Sequence, residues 1–183
     1  MTARVDLETV LTRGDLQALP DDGKRRELLG GELVESPSPN SRHQRVVAGI
    51  FVALRALAEA GAGEAFVAPL DVVLDEATVV QPDVFFVSAR RRRIVREVCE
   101  GAPDLVVEVT SPSTQAVDRG AKLTAYQQAG VKHYWVADPE ARTLEEYVLG
   151  RRGYALRARV EGPAALAPAL FPGESIDLGA VWA

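Results

Sequence analysis

With Cys99 the only cysteine among 183 residues, a disulfide framework and a thiolate-built zinc site are both excluded. Cys99 reads as a small buried or half-buried thiol. No apolar run approaches the roughly 20 residues a membrane helix needs, and the opening MTARVDLETV lacks the apolar segment of a secretory signal. These absences point to a cytoplasmic address. Lysine is scarce: only Lys24, Lys122 and Lys132 accompany a basic complement that is otherwise arginine, so the place of each lysine is informative. Net positive charge is lacking too. A charge of −5 at pH 7 argues against a cationic coat for nucleic acid, although cations held by carboxylates can still present a positive field. Internal repeats, low-complexity segments, a P-loop, a dinucleotide fingerprint and a G-x-S-x-G elbow are all missing.

The composition that remains is 47% hydrophobic and 26% charged, which suits one globular domain over residues 1–183 with a sizeable core. Residues 6–19 carry Leu7, Val10, Leu11, Leu16 and Leu19 at helical spacing. RRELLGGELVESP reads as a hairpin turning at Gly30-Gly31. SPSPNS is a loop rich in helix-capping residues, and RHQRVVAGIFVALRALAEA (42–60) is a long amphipathic helix closed by Gly61. EAFVAPLDVVLDEATVVQPDVFFVS reads as two or three strands, and RRRRIVREVCEGAP as a basic connection. A strand at DLVVEVTSPS, a helix over 114–129, the apolar strand HYWVADP and a hairpin across Gly150 to Gly153 follow. The order predicts a mixed α/β or α+β domain: a central mixed sheet flanked by helices, with an extra N-terminal hairpin and C-terminal strands.

Two acids interrupt apolar strands. Asp83 opens Val84-Phe85-Phe86-Val87, and Glu108 lies inside Leu105-Val106-Val107-Glu108-Val109. A buried carboxylate needs a partner or a cation. Hard cations such as Mg²⁺ take oxygen ligands, so two carboxylates and a backbone carbonyl make a candidate site. The competing reading is that each acid points outward from a half-exposed strand. Asp118, Lys122 and Tyr126 follow at four-residue steps and share one helix face, which returns along the Glu108 strand. The competing reading there is an ordinary surface Asp–Lys pair. His43 opens the long helix and is either a cleft residue or a surface contact; His133 reads as structural. Arg90, Arg91, Arg92 and Arg93 are either phosphate contacts or a solvated face.

PDV at 82–84, EVTSPST at 108–114, DRGAKLTAY at 118–126 and GVKHYWVADPE at 130–140 occur in an order that resembles the Uma-two family of restriction-endonuclease-like proteins. LPDDGKRRELLGGELVESPSP and RHQRVVAGI extend the resemblance over about residues 7–177. It implies the PD-(D/E)XK nuclease core. Asp83 then corresponds to the motif aspartate and Glu108 to the second acid, both metal ligands, with the Val109 backbone carbonyl as a further ligand. The motif lysine is expected at 110, where this chain has Thr110; Lys122, on the following helix, is placed to replace it. Glu27, Gln81, His43 and Tyr126 are supporting candidates. The resemblance implies an Mg²⁺- or Mn²⁺-dependent endonuclease acting on nucleic acid, DNA first, as a homodimer; the apolar strands LEEYVL and YALRARV near the end of the chain are segments that could add to a neighbour's surface. The alternative is a catalytically silent module of the same fold that binds nucleic acid or protein.

Overall fold

The computed structural model describes residues 10–183. The first half runs α1 (Arg13–Gln17), β1 (Arg25–Leu29), β2 (Glu32–Ser36), α2 (Ser41–Leu57), β3 (Gly63–Val67), β4 (Val72–Asp75), β5 (Thr78–Val80), β6 (Val84–Ser88) and β7 (Cys99–Glu100). The second runs β8 (Leu105–Val109), α3 (Gln115–Val117), α4 (Leu123–Ala129), β9 (His133–Asp138), β10 (Thr143–Gly150), β11 (Gly153–Glu161), β12 (Ala165–Leu166), β13 (Ile176–Asp177) and α5 (Leu178–Trp182). A six-stranded sheet in the order β11-β10-β9-β8-β6-β3 is the centre, accompanied by a five-stranded sheet, β2-β1-β5-β4-β7. Within the larger sheet β8 and β9 run parallel and the other neighbours antiparallel, so the sheet is mixed as expected.

β8 is buried at every residue because strands flank it and both sheet faces are covered. Alternation divides its side chains between two cores. Leu105, Val107 and Val109 join Val46, Ile50 and Leu54 of α2 and Leu178 of α5 on one face. Val106 joins Phe85, Tyr126 and Tyr134 with Val72 and Val80 of the smaller sheet on the other. The amphipathic reading of α2 is met: His43, Val46, Val47, Ile50 and Leu54 are its buried residues. Asn40, rather than a serine, caps it, accepting from the His43 N–H. The β1–β2 turn takes φ of 62° and 85° at Gly30 and Gly31, a left-handed pair that side-chain-bearing residues resist.

The structure departs from the sequence expectation in four places. The described part of the N-terminal helix is only Arg13–Gln17, held by a Thr12–Asp15 capping box; residues 6–9 lie outside the described residues. The middle segment holds four strands, since the short β4 and β5 are separate and join a second sheet. Cys99 sits in a two-residue strand that extends that sheet beside β4. The tail ends in a helix, α5, capped by Asp177 and packed on α2. Among the described residues no helix is long and apolar enough to cross a membrane.

Candidate active site

Strand parity brings the acids together. β6 and β8 are antiparallel with Val84 opposite Val107, so one step further places Asp83 opposite Glu108. Asp83 shares a face with Phe85 and Val87, Glu108 with Val106, and Glu27 with Leu29, all lining the same core. β1 presents Glu27 from the smaller sheet, where the Gln81 N–H donates to its Oε1 at 2.7 Å. The fourth contribution comes from α3, which runs through a wider π-type turn, Asp118–Lys122, into α4; both end residues of that turn are buried. Such turns insert an extra residue and recur at functional sites.

Lys122 Nζ reaches Glu27 Oε1 at 3.0 Å and Glu108 Oε1 at 3.1 Å, and Tyr126 donates its hydroxyl to the same Glu108 oxygen at 2.6 Å. Asp83 is held separately. Its Oδ1 meets Arg25 Nη1 at 3.1 Å; its Oδ2 accepts the Val109 N–H at 2.9 Å and lies 3.2 Å from His43 Nε2. Arg25 also donates to the Gln81 carbonyl. Asp83, Glu108, Val109, Asp118, Lys122, Arg25 and His43 line one open cavity of about 330 Å³, walled by the 36–40 loop and Ser111–Thr114.

Charge in this cavity is unevenly settled. Burial would raise Asp83, but the His43 hydrogen bond, the Arg25 charge and the Val109 N–H together hold it at about 2. Glu108 goes the other way: burial, with the charges of Asp83, Asp118 and Glu27, overrides Lys122 and pushes it up to about 8. Burial likewise raises Asp118 to about 6 against the pull of Lys122 and Thr114. Burial alone would lower Lys122, yet Glu108, Glu27 and Asp118 hold it protonated above its ordinary range. A lysine so firmly charged is a charge stabiliser rather than a proton acceptor.

Asp83, Glu108 and Lys122 therefore share the cavity that sequence reasoning anticipated, with Glu27, Tyr126 and His43 in contact with them. The structure corrects Gln81: its side chain turns to Asp71 Oδ1, 2.8 Å away, and its backbone is what meets Glu27 and Arg25. Val109 meets the cluster through its N–H. Thr110 is buried and donates its hydroxyl to the Ala137 carbonyl. The Arg90–Arg93 run occupies a 3₁₀ turn (Ala89–Ile94) at the end of β6 remote from Asp83. There Arg91 pairs with Asp104 and Arg92 with Glu64. His133 is a buried strand residue. Arg25 was not singled out from sequence; its two-residue spacing from Glu27, which puts both on one side of β1, was the available signal. Asp118 was seen on the Lys122 face but not given a role.

Whether a cation suits this site turns on its oxygens. Glu27 Oε2 is buried without a partner, and burial, reinforced by the neighbouring acids, raises Glu108 and Asp118, so the site as it stands disfavours their ionised forms and a cation would relieve it. The donors are hard oxygens, which fit Mg²⁺ or Mn²⁺ rather than a soft metal. Among the described residues no set of three or more His, Cys, Asp or Glu side chains already stands in ligating geometry. Arg25, His43, Lys122 and Tyr126 occupy carboxylate oxygens instead.

The mixed sheet, with Asp83 and Glu108 facing each other across adjacent strands, is shared as a fold with a solved nuclease-type structure. The chain matches the structure of "a putative nuclease belonging to DUF820 from Anabaena variabilis ATCC 29413" with a TM-score of 0.76 and 15% identity, covering 94% of this chain and 97% of that one. At that identity the likeness speaks for the fold. The family model of Uma2, described as "Putative restriction endonuclease", matches residues 13–179, and the chain belongs to that family. No curated protein matches it.

Proposed function

We propose that the protein is a cytoplasmic metal-dependent endonuclease that hydrolyses phosphodiester bonds in nucleic acid, DNA in the first instance, and works as a homodimer. The observation that carries this reading is the single cavity shared by Asp83, Glu108 and Lys122. Asp83, Glu108 and the Val109 carbonyl would hold Mg²⁺ or Mn²⁺, with Glu27 in support. Such a cation supplies a Lewis acid that acidifies water and neutralises phosphate charge. The chain's own groups do the rest. Lys122 sets a permanent positive charge against the charge that grows on phosphate. Tyr126 pins Glu108, and His43 with Arg25 orients Asp83. Arg25, partly exposed at the cavity wall, can meet a phosphate oxygen with its guanidinium.

The second reading, a silent module, is favoured by Thr110 at the motif lysine position and by cationic side chains already seated on the carboxylates. Glu108→Gln separates the two. It keeps the shape and removes the charge a hard cation requires. Plasmid nicking is expected to fall at least about a hundredfold. Without metal the melting temperature should stay equal below about pH 8, where burial keeps Glu108 protonated, and rise above it, where an ionised Glu108 would face Asp83, Asp118 and Glu27. Mn²⁺ should raise the melting temperature of the parent more than that of the variant. Equal metal shifts, with no nicking of DNA or RNA by the parent, decide for the silent module.

A further inference from the structure

A second cavity, of about 420 Å³, lies on the other side of the first turns of α2 and is lined by Arg42, Arg45 and Arg142. The two cavities share the first turns of α2: Asn40 and His43 face the acids, while Arg42 and Arg45 face the arginine cavity. Arg142 joins from the turn after β9. Because β8 and β9 are parallel, with Val109 opposite Ala137, that turn emerges at the same end of the sheet as Glu108. All three arginines are exposed, and the acidic side chain lining their cavity is Glu140. Arg42 pairs with Glu140 as a solvated surface pair, of a weak kind readily exchanged for a stronger anion. Arg45 and Arg142 make no ion pair among the described residues.

In a chain of net charge −5, a local cluster of three arginines at the same end of the sheet as the carboxylates calls for a ligand. Guanidinium groups match phosphate oxygens in charge and in paired hydrogen bonds. We infer that Arg42, Arg45 and Arg142 form a phosphate-binding subsite, which holds the sugar-phosphate backbone of nucleic acid at the end of the sheet where Asp83 and Glu108 lie, across the first turns of α2. The subsite rests on the nuclease reading for its substrate class. It replaces the Arg90–Arg93 run as the anchor, since that run begins beyond the far end of a five-residue strand, about 16 Å away at 3.3 Å per residue.

The test is fluorescence anisotropy with a short labelled duplex, DNA in one arm and RNA in the other, over a range of salt. It is run in the Glu108→Gln background, so that cutting does not intrude. Arg42→Gln/Arg45→Gln is expected to weaken binding at least about tenfold and to lower the slope of log K against log salt by about 1.8, at 0.9 per lost phosphate contact on duplex DNA. Arg90→Gln/Arg93→Gln makes the same change in net charge and should leave affinity and slope as they were. Arg42→Lys/Arg45→Lys should restore the slope. Equal weakening by both glutamine pairs, or by neither, overturns the subsite. Binding without nicking by the parent protein defeats the nuclease reading and leaves the subsite standing; nicking with an unchanged slope in Arg42→Gln/Arg45→Gln does the reverse. A parent protein that binds neither duplex ends both.

Discussion

Glu108 and Asp83 are neighbours of the same chemical type with opposite electrostatics, and the difference is partners. Asp83 collects a guanidinium, an imidazole and a backbone N–H, whereas Glu108 shares its lysine with Glu27. The consequence is a pH dependence of the metal-free protein. A carboxyl raised in the folded state stabilises the fold below its unfolded pKa and loses that contribution as pH rises through the folded value. The windows are 3.8 to about 6 for Asp118 and 4.5 to about 8 for Glu108. Asp83, depressed from 3.8 to about 2, contributes stability above 3.8 that is lost only in stronger acid. In chelator, the melting temperature is therefore expected to fall between pH 5 and pH 8, by at least about 3 °C for a domain of this size. Glu108→Gln should flatten the upper half of the curve, leaving the part below about pH 6 to Asp118. A parent curve that is flat or rising across the range would show that Glu108 is not held neutral.

At the scale of elements, the cavity depends on α2 being docked, because α2 delivers His43 to Asp83. The seat of α2 against α5 is Gly49, where a Cβ would lie 2.8 Å from the Val181 Cα and 3.1 Å from its carbonyl oxygen. Helix propensity alone would make Gly49→Ala stabilising by about 1 kcal/mol. Here the contact is with backbone, which cannot rotate away, so the sign should reverse to a net loss of about 1–3 kcal/mol. Chemical denaturation of the variant is the check, and a gain in stability would mean that α5 moves aside freely. The π-type turn matters in the same way. It is the element that buries Asp118 and Lys122 together and delivers the Lys122 ammonium to Glu108.

For the whole molecule, each chain has one acidic cavity of this kind described, so cutting both strands of a duplex calls for two copies related by a two-fold axis. The last strand of the larger sheet, β11, has a neighbour on one side only among the described residues and exposes Leu156 at 53%. It is the part of the chain that the YALRARV segment proposed for self-association. Light scattering at micromolar concentration is expected to give the mass of a dimer, and Leu156→Glu is expected to shift it toward the monomer. A strict monomer for the parent at that concentration would remove this element of the proposal.

Sequence alone carried the elements whose signals are local. The period of α2, the Gly30-Gly31 turn, the apolar runs of β6, β8 and β9, and the anomaly of Asp83 and Glu108 within such runs all follow from side-chain chemistry and spacing. The motif order carried the family. What awaited the tertiary structure was every relation set by strand parity and by packing across sheets. β4 and β5 proved to be separate strands of a second sheet because their short runs pair with β1 and β7, which are distant in sequence. Arg25 reaches Asp83 across 58 residues of chain, and Lys122 reaches Glu27 only because the smaller sheet folds over α4. Arg42, Arg45 and Arg142 are unremarkable in the sequence, scattered among exposed positions. They became a cluster when two parallel strands brought the turn after β9 to the end of the sheet where α2 begins. Local pattern decides what a segment is; long-range pairing decides which charges it meets.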